Sequence, residues 1–408
     1  MVTVTGHLMD TGILARVLDD VLEYGGDYRI DRLDLGRQHE DASRALIEVS
    51  ADEAEQLERI LMRVQVHGAN AVDPGTATTR PAPADGVFPD DFYSTTNLET
   101  LVRLAGDWLR VERPEMDCGL VVVEEGGAGA GGRVVVRTVP VSDVRAGEAV
   151  VCGAAGVRVE LPLQAPRGEE DDFGFMSSSV SSEKPQALLV RQIAERMRDV
   201  KAAGKRILWV GGPAVVHTGA APAMVRLVRA GYVDVLFAGN ALATHDIESS
   251  LFGTSLGVDL AKGSGVPHGH EHHIRAINTI RASGSIAEAV ASGVLTGGVM
   301  HAMVQEDKPF VLVGSVRDDG PLPDVYTDVI EGQRAMRAQL PDVGFAIMVA
   351  TMLHSIATGN ILPASVPLVS VDINPATVTK LADRGSAQAM GIITDIGLFL
   401  EQLARELC

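Results

Sequence analysis

The sequence is poor in the residues that cross-link small proteins and in those that bind polyanions. Only three of its 408 residues are cysteines. Cys118, Cys152 and Cys408 are far apart and form no C-x-x-C pair, which argues against a disulfide framework and against a thiolate zinc site. Acidic residues outnumber basic ones, so that the formal net charge is -19. No basic stripe is available for a phosphate backbone or an anionic lipid surface, and we therefore expect neither nucleic acid nor membrane as a partner.

Long hydrophobic runs are also absent. The most apolar stretch, VGFAIMVATMLHSIA at 343–357, is too short to span a bilayer and contains a histidine and a serine. We interpret it as an apolar core helix around 344–357. The amino terminus has no signal-peptide pattern, which predicts a cytoplasmic protein. With 46% hydrophobic residues, the chain can bury a large core divided among two or three domains.

The pattern of apolar and polar residues divides the chain into three segments. Residues 1–75 read as strand, helix, two strands and helix, which predicts a small α+β unit of the ferredoxin-like or ACT-like kind. Residues 86–165, after a Pro/Ala/Asp-rich stretch, form a β-rich segment that we expect to contribute to the substrate site. Residues 166–408 alternate helices with short apolar strands, which indicates a doubly wound parallel sheet of the Rossmann-like class.

The middle segment contains a G-x-G-x-x-G match, GAGAGG at 127–132. A dinucleotide fingerprint requires a strand before the glycines and a helix after them, because the pyrophosphate rests on the helix amino terminus. Here the β-like run RVVVRTVPV follows. We therefore interpret these glycines as a hairpin loop.

In the last segment, polar residues follow the predicted strands, where ligands bind in a doubly wound sheet. NALATHD follows one strand, VRDDGPLPD another, and Asp372 and Asp395 directly follow two more. Asp372 is our candidate acceptor for the ribose hydroxyls of an NAD-type cofactor. An N-cap for a helix starting at Pro375 explains the same residue equally well. Gly211 and Gly212 could let the backbone come close to a phosphate group, or they could simply form a turn.

Four histidines occur within HGHEHH at 268–273, which raises the alternative of a zinc hydrolase. His268 and His272 have the spacing of a zinc helix, but Pro267 and Gly269 place His268 in the turn before the helix, and no H-E-x-x-H results. We predict a helix entry without a metal, in which His273 is partly buried and His272 or His273 contacts the substrate.

Long strings in the sequence resemble one known family. They are FYSTTNLETLVR, PEMDCG, FMSSSVSSEKP, GPAVVHTGAAP, GNALATHDIESSLFGTSLGVDL, GHEHHIRAINTIRASGSI, GSVRDDGPLPDVYTDV, ATMLHSIATGN and VDINPATVTKLADRGSAQAMGIITDIG. In order and over nearly the whole chain, they resemble the archaeal-type ornithine cyclodeaminases, also known for their LOR/SDH conserved region. Cyanobacterial relatives carry a further amino-terminal guanidine-removing domain with a catalytic cysteine. The present sequence begins with the small α+β unit, so arginine dihydrolase activity is not expected.

The resemblance implies NAD-dependent conversion of L-ornithine to L-proline and ammonia. It also implies a set of cofactor-binding positions, which match Asn240, Ala241, Asp318, Thr351, Met352, Leu353, His354, Asp372, Asp395 and Ile396. Asn97, Glu115 and Arg317 have the right chemistry to bind an amino acid. Asp117 is our hypothesis for the acid-base group of the ammonia-release step.

Two other functions stay open at this point. One is a lysine or saccharopine-type dehydrogenase, and the other is a non-catalytic sensor of an amino acid and NAD. The small amino-terminal unit also leads us to expect a homo-oligomer.

Overall fold

The computed structural model describes residues 1–8, 12–36, 41–125, 133–161, 186–259, 269–314, 320–384 and 389–408. The chain divides into two compact units. The first comprises Met1–Ser178 together with Asn360–Ser365, and the second comprises Ser179–Gly359 with Val366–Cys408. Within the described residues, no helix combines the length and the apolar character needed to cross a bilayer.

The first unit starts with a ferredoxin-like module. Its elements are β1 (Val2–Gly6), α1 (Ile13–Glu23), β2 (Asp27–Asp34), β3 (Ser43–Ser50), α2 (Ala54–Gln65) and β4 (Asn70–Ala71). The sheet is antiparallel in the order β2-β3-β1-β4. Alternating residues of β1 and β3 face the two helices, so that Val4, Ile47, Ile60 and Val64 share one buried core.

A larger, mostly antiparallel sheet completes the first unit. Its strands are β5 (Thr78–Pro81), β6 (Glu99–Leu104), β7 (Asp107–Glu112), β8 (Gly119–Glu125), β9 (Arg133–Val139), β10 (Ala149–Cys152) and β11 (Val157–Glu160), in the order β11-β6-β7-β9-β8-β10-β5. The Asn70 side chain ties β11 to the ferredoxin-like module. Its Nδ2 donates to Val159 O at 2.7 Å and its Oδ1 accepts from Val159 N at 2.8 Å.

The second unit is a parallel sheet flanked by helices, as the sequence predicted. Its strands are β12 (Arg206–Gly211), β13 (Val235–Gly239), β16 (Phe310–Val313), β17 (Val325–Tyr326), β18 (Val343–Val349), β19 (Leu368–Asp372) and β20 (Ala389–Ile393), and a separate hairpin pairs β14 (Thr254–Ser255) with β15 (Val258–Asp259). The helices are α3 (Gln186–Ala202), α4 (Ala214–His217), α5 (Ala221–Arg229), α6 (Asn240–Phe252), α7 (His272–Ser283), α8 (Ile286–Ala291), α9 (Gly298–Gln305), α10 (Val329–Ala338), α11 (Leu353–Ile361), α12 (Pro375–Arg384) and α13 (Ile396–Leu407).

The strand order of this sheet is β17-β16-β13-β12-β18-β19-β20. From β16 to β20 this is the 3-2-1-4-5-6 order of the Rossmann fold, with β17 added at one edge. The predicted fold class is therefore confirmed. The boundaries that we placed at residues 75, 86, 165 and 166 remain predictions.

The expected core helix around 344–357 is wrong. Val343–Val349 form β18, which lies beside β12, and α11 begins only at Leu353. A strand that is buried on both faces shows no alternation, so an unbroken apolar run does not distinguish it from a buried helix. The correction matters because it places residues 351–354 directly after a strand of the parallel sheet.

Candidate functional site: a cofactor edge and a separate pocket

The strand order reverses between β12 and β18, at the centre of the parallel sheet. From β12 the chain continues to β13 on one side, and from β18 it continues to β19 on the other. In doubly wound sheets the crevice at the carboxyl ends of two such strands is where ligands bind. We call this part of the second unit the cofactor edge, comprising the residues that directly follow β12, β13, β18, β19 and β20.

Two strand ends of the cofactor edge are in backbone contact at Gly212. Its N–H donates to Val349 O at 2.9 Å, and a Cβ added to Gly212 would lie 1.8 Å from Ala350 O. Only glycine fits there. Ala350 itself has a φ of 51°, in the left-handed region that residues with a Cβ seldom adopt. The close approach of the two strands thus depends on a missing side chain and on a strained alanine.

Residues 351–354, which the family resemblance assigns to the cofactor, connect the end of β18 to the first turn of α11. The His354 ring reaches the end of β13, because a Cβ added to Gly239 would lie 3.1 Å from His354 Cε1. Thr351 is half-buried, whereas Met352 is 41% exposed and Leu353 is 73% exposed. The cofactor edge therefore presents apolar side chains to solvent beside a histidine.

Asn240 and Ala241 form the first turn of α6 immediately after β13. Asn240 is buried, and its Oδ1 accepts a hydrogen bond from Leu322 N at 3.0 Å. Its carboxamide therefore holds the segment that follows β16. Ala241 is half-buried in the same turn.

The two aspartates at the cofactor edge both engage backbone N–H groups. Asp372 Oδ1 accepts from Asn374 N at 2.8 Å, while Asn374 Oδ1 accepts from Ala376 N in the first turn of α12. The capping contact to that turn thus comes from Asn374, and Asp372 closes the turn before it. Asp395 is the N-cap of α13 and accepts from Leu398 N at 2.9 Å. Buried Ile396 follows it as the first residue of that helix.

The start of α13 also lies close to α4. A Cβ added to Gly397 would lie 3.4 Å from Thr218 Cβ. Asp395 is therefore near the segment that follows β12. Predicted positions Arg317 and Asp318, like GAGAGG at 127–132 and His268, lie outside the described residues.

A cavity of about 440 Å³ lies within the first unit. One wall comes from the ferredoxin-like module and the other from the loops around residues 92–96 and 116–117. The lining residues are Tyr24, Arg59, Met62, Arg63, Val66, Phe92, Tyr93, Ser94, Thr95, Thr96, Met116 and Asp117. Asp117, the predicted acid-base group, is one of the lining residues.

Thr95 fixes the backbone that carries Asp117. Thr95 N donates to Cys118 O at 2.9 Å, and Asp117 N donates to Thr95 O at 3.0 Å. The Thr95 hydroxyl donates to Glu115 O and accepts from Cys118 N. Asp117 has a φ of 60°, which costs about 1 kcal/mol or more for a residue with a Cβ. The loop thus holds a carboxylate at the cavity in a strained, over-determined conformation.

Asn97 and Glu115 are buried beside the cavity rather than in its lining. Asn97 Nδ2 donates to Leu362 O at 3.2 Å, and Asn97 O accepts from Ala364 N at 2.8 Å. Asn97 therefore attaches the segment Asn360–Ser365 to the first unit. The Glu115 carboxylate lies 3.9 Å from Cys118 Sγ.

A group of buried polar residues in the second unit was missed by the sequence reasoning. We call His217, His245, Glu248, Thr254 and His272 the histidine–glutamate network. His245 Nδ1 lies 2.8 Å from Glu248 Oε2, and the rings of His217 and His245 meet edge to face at 4.8 Å. Thr254 Oγ1 donates to Glu248 Oε1 at 2.9 Å. With its only proton used there, Thr254 accepts from His272 Nδ1 at 2.7 Å.

The network is anchored by a fully buried carboxylate. Burial by itself would raise the pKa of Glu248, but hydrogen bonds from His245, Gly257 and Thr254 outweigh it, so that the pKa of Glu248 is lowered. Burial, and next the neighbouring His245, lower the pKa of His217. His217 ends α4 next to Thr218, which places one end of the network near Asp395.

Of the histidines of HGHEHH, His272 contributes to this network. A short 3-10 turn at Gly269–Glu271 precedes α7, which begins at His272, and His273 is half-buried as predicted. Among the described residues, no three His, Cys, Asp or Glu side chains are grouped to hold a metal ion. The spacing of His245 and Glu248, three apart on one helix, was the available sequence signal for the network.

The fold and the site define the class: a Rossmann-type enzyme whose nucleotide-binding sheet is joined to a separate amino-terminal region with its own pocket. Three family models together match residues 1–403. Residues 1–98 match the LOR/SDH bifunctional enzyme conserved region, residues 99–190 the first C-terminal region of ArgZ-like arginine dihydrolase, and residues 191–403 its C-terminal Rossmann fold. The chain is 50% identical over 406 residues to the ornithine cyclodeaminase of Methanothermobacter thermautotrophicus, covering 100% of this chain and 97% of that protein. It belongs to this ornithine cyclodeaminase and ArgZ-like family.

Solved structures of relatives agree with this assignment. Apo ArgZ, an arginine dihydrolase from the cyanobacterial ornithine-ammonia cycle, is 37% identical with a TM-score of 0.84, and the match covers 100% of this chain and 57% of that one. AgrE, which is the bifunctional arginine dihydrolase/ornithine cyclodeaminase of Nostoc, has been crystallised as a ternary complex with ornithine and NAD+. That structure is 41% identical with a TM-score of 0.54, over 100% of this chain and 57% of AgrE.

Proposed function

We propose that this chain is an NAD-dependent ornithine cyclodeaminase that converts L-ornithine into L-proline and ammonia. The observation that carries the proposal is the 50% identity, over 100% of this chain and 97% of the relative, with an archaeal ornithine cyclodeaminase. The ternary complex of AgrE with ornithine and NAD+ supports the same pair of ligands.

The cofactor edge has the features that a dinucleotide needs. Gly212 and Gly239 present bare backbone at two strand ends, and α6 starts directly after Gly239 with its first N–H groups unpaired within the helix. Met352, Leu353 and Ile373 offer exposed apolar surface for the rings. When bound, NAD both accepts and returns a hydride, which makes the overall conversion redox neutral.

Asp372 is the residue we assign to the ribose hydroxyls of NAD. Its Oδ1 is held by Asn374 N at the end of β19, which fixes the carboxylate in one orientation. A fixed carboxylate accepts two hydroxyl hydrogen bonds and repels a phosphate, which is the basis of the preference for NAD over NADP.

The cavity of the first unit suits a substrate with one carboxylate and two amines. Arg59 and Arg63 line one wall, and Asp117 lines the other. Arg63 Nε also lies 3.1 Å from the carboxylate of buried Asp20, which holds its guanidinium in place. In this proposal the arginines orient the substrate carboxylate, and Asp117 transfers a proton at the amine that departs as ammonia.

The histidine–glutamate network supplies a second route for protons. Glu248 accepts the Nδ1 proton of His245, which leaves Nε2 of His245 as the atom that exchanges a proton. His217, in ring contact with His245, lies at the end of the network nearest Asp395. We assign His245 and its neighbour His217 to proton exchange and Glu248 to the positioning of His245.

The test is to incubate purified protein with L-ornithine and a catalytic amount of NAD+, and to assay proline, ammonia and NADH. A cyclodeaminase forms proline and ammonia in equal amounts without net NADH. A lysine or saccharopine-type dehydrogenase accumulates NADH, and a sensor binds both ligands without forming product. Either of these two results would refute the proposal.

A further inference from the structure

Strand β2 forms an open edge of the ferredoxin-like sheet. It is the outermost strand in the order β2-β3-β1-β4, and among the described residues it pairs with β3 alone. Seven of its eight residues, Asp27–Asp34, are exposed. Its outer row of backbone N–H and C=O groups is therefore available for another strand.

Three of the eight side chains of β2 are large and apolar or aromatic, among five charged ones. Tyr28, Ile30 and Leu33 pair across the sheet with Val49, Ile47 and Ala45, which are all buried. These three side chains therefore point to the helix-covered face. The register shift between Ile30 and Arg32 makes this possible, because the extra residue Asp31 brings Leu33 to the same face as Ile30.

The chain's own helices leave this apolar row uncovered. Ile30 and Leu33 are each 38% exposed, although they lie on the core face of the sheet. Leu35 follows in the same alternation, and Leu22 and Tyr24 at the end of α1, the helix that precedes β2, are also exposed large hydrophobic residues. An exposed apolar patch that runs along an unpaired strand edge is typical of an interface.

The sequence of β2 is complementary to itself. When two copies pair antiparallel about an axis between Asp31 and Arg32, Ile30 of one copy faces Leu33 of the other. Asp31 then faces Arg32, and the next pairs outward are Arg29 with Asp34 and Tyr28 with Leu35. Charged residues on an edge ordinarily block pairing, but here four of the five charged residues of β2 meet an opposite charge across the axis.

We propose that a second copy of this chain docks on β2, so that two four-stranded ferredoxin-like sheets become one continuous sheet. The exposed apolar row is then covered by the α1 end of the other copy, and two sets of ion pairs fix the register. This inference does not rest on the proposed catalytic function, because Asp27–Asp34 belong neither to the cofactor edge nor to the cavity lining, although Tyr24 beside them also lines the cavity.

Light scattering coupled to size-exclusion chromatography of the full chain tests the proposal. Ile30→Lys with Leu33→Lys places like charges opposite each other, and we expect the molar mass to fall by half, with a dissociation constant raised on the order of 100-fold. Val141→Lys, at an exposed apolar position outside the ferredoxin-like module, is the matched control and should keep the wild-type mass. Circular dichroism confirms that each variant is folded.

Charge reversal tests the register itself. Asp31→Arg alone and Arg32→Asp alone each create like-charged pairs across the axis and should weaken the dimer, whereas the double variant restores opposite charges and should recover it. A monomeric wild-type chain, or an unchanged mass in the Ile30→Lys and Leu33→Lys variant, would overturn the proposal. A double charge variant as weak as the single ones would overturn the register.

Discussion

Replacing Glu248 with glutamine perturbs the histidine–glutamate network with almost no change in shape. In the described structure the carboxylate accepts from Thr254 Oγ1 and Gly257 N on Oε1, and from His245 Nδ1 and Leu256 N on Oε2. Glutamine keeps one oxygen and puts an NH2 group, which accepts nothing, in place of the other. Two of the donors must therefore lose their acceptor.

The size of the effect follows from which donors can adapt. If the NH2 group faces the Oε1 side, the Thr254 hydroxyl rotates to accept, but Gly257 N–H has no alternative. If it faces the Oε2 side, His245 changes tautomer, but Leu256 N–H has no alternative. The donor left unpaired is the buried Gly257 N–H in the first orientation and the part-buried Leu256 N–H in the second, so the fold is destabilised by at most roughly 1–3 kcal/mol, with the smaller loss in the second.

Urea unfolding of the wild type and of Glu248→Gln measures this loss, with exposed Glu306→Gln as the matched control. Since the folded-state pKa of Glu248 is lowered from its ordinary value of 4.5, its contribution is fully present above that pH and is lost as the pH falls through the folded-state pKa. The stability difference should therefore be largest at neutral pH and shrink in acid. Equal stabilities at pH 7, or a difference that grows toward acid pH, would refute the reasoning.

The same variant separates a positioning role from a purely structural one. If Glu248 positions His245 for proton exchange, Glu248→Gln lowers kcat and alters the pH profile of turnover, while the Kd for NAD stays near the wild-type value. A fall in activity that only follows the unfolded fraction, with an unchanged pH profile, would assign Glu248 to stability alone.

Three further predictions follow from single positions. Gly212→Ala should abolish NAD binding in a calorimetric titration, because its Cβ would lie 1.8 Å from a backbone oxygen. Gly239→Ala should weaken binding less, because its closest contact, at 3.1 Å, is the side-chain ring of His354 and the nearest backbone oxygen is 3.5 Å away. Equal effects of the two variants would contradict this geometry. Asp117→Asn should lower kcat on the order of 10² to 10⁴-fold with NAD affinity intact, and near-normal turnover would exclude Asp117 as the acid-base group. Burial raises the pKa of Asp246 to about 6, so its neutral form stabilises the fold below the ordinary pKa of 3.8, and this stability is lost as the pH rises through about 6. The urea midpoint of the wild type should therefore fall over this pH range relative to that of Asp246→Asn. Midpoints of the two proteins that change in parallel would contradict the prediction.

The rule that ligands bind at strand ends located most of the candidate cofactor residues from the sequence. Asn240, Asp372 and Asp395 do follow strands of the parallel sheet, as the alternation of short apolar runs with helices predicted. Their roles remain predictions. Residues 351–354 were placed in a core helix because β18 is buried on both faces and its composition therefore carries no period.

Sequence reasoning missed features that depend on contacts between distant segments. His217 and Glu248 are far apart in sequence, and they come together because α4 and α6 follow neighbouring strands of the sheet. The cavity around Asp117 likewise joins α2 to loops beyond residue 90. Asn97 has the composition of a ligand-binding residue, but its amide holds a chain segment that only the fold brings near.

That segment makes the first unit discontinuous in the chain. Asn360 O accepts from Met116 N at 2.9 Å, next to the bonds that Asn97 makes with Leu362 and Ala364. During synthesis on the ribosome, the loop that carries Asp117 therefore lacks these partners until residue 364 has emerged, after most of the Rossmann sheet. A fragment cut at residue 178 would leave the same groups without these partners, so the cavity around Asp117 would lose part of the backbone support that the full chain gives it.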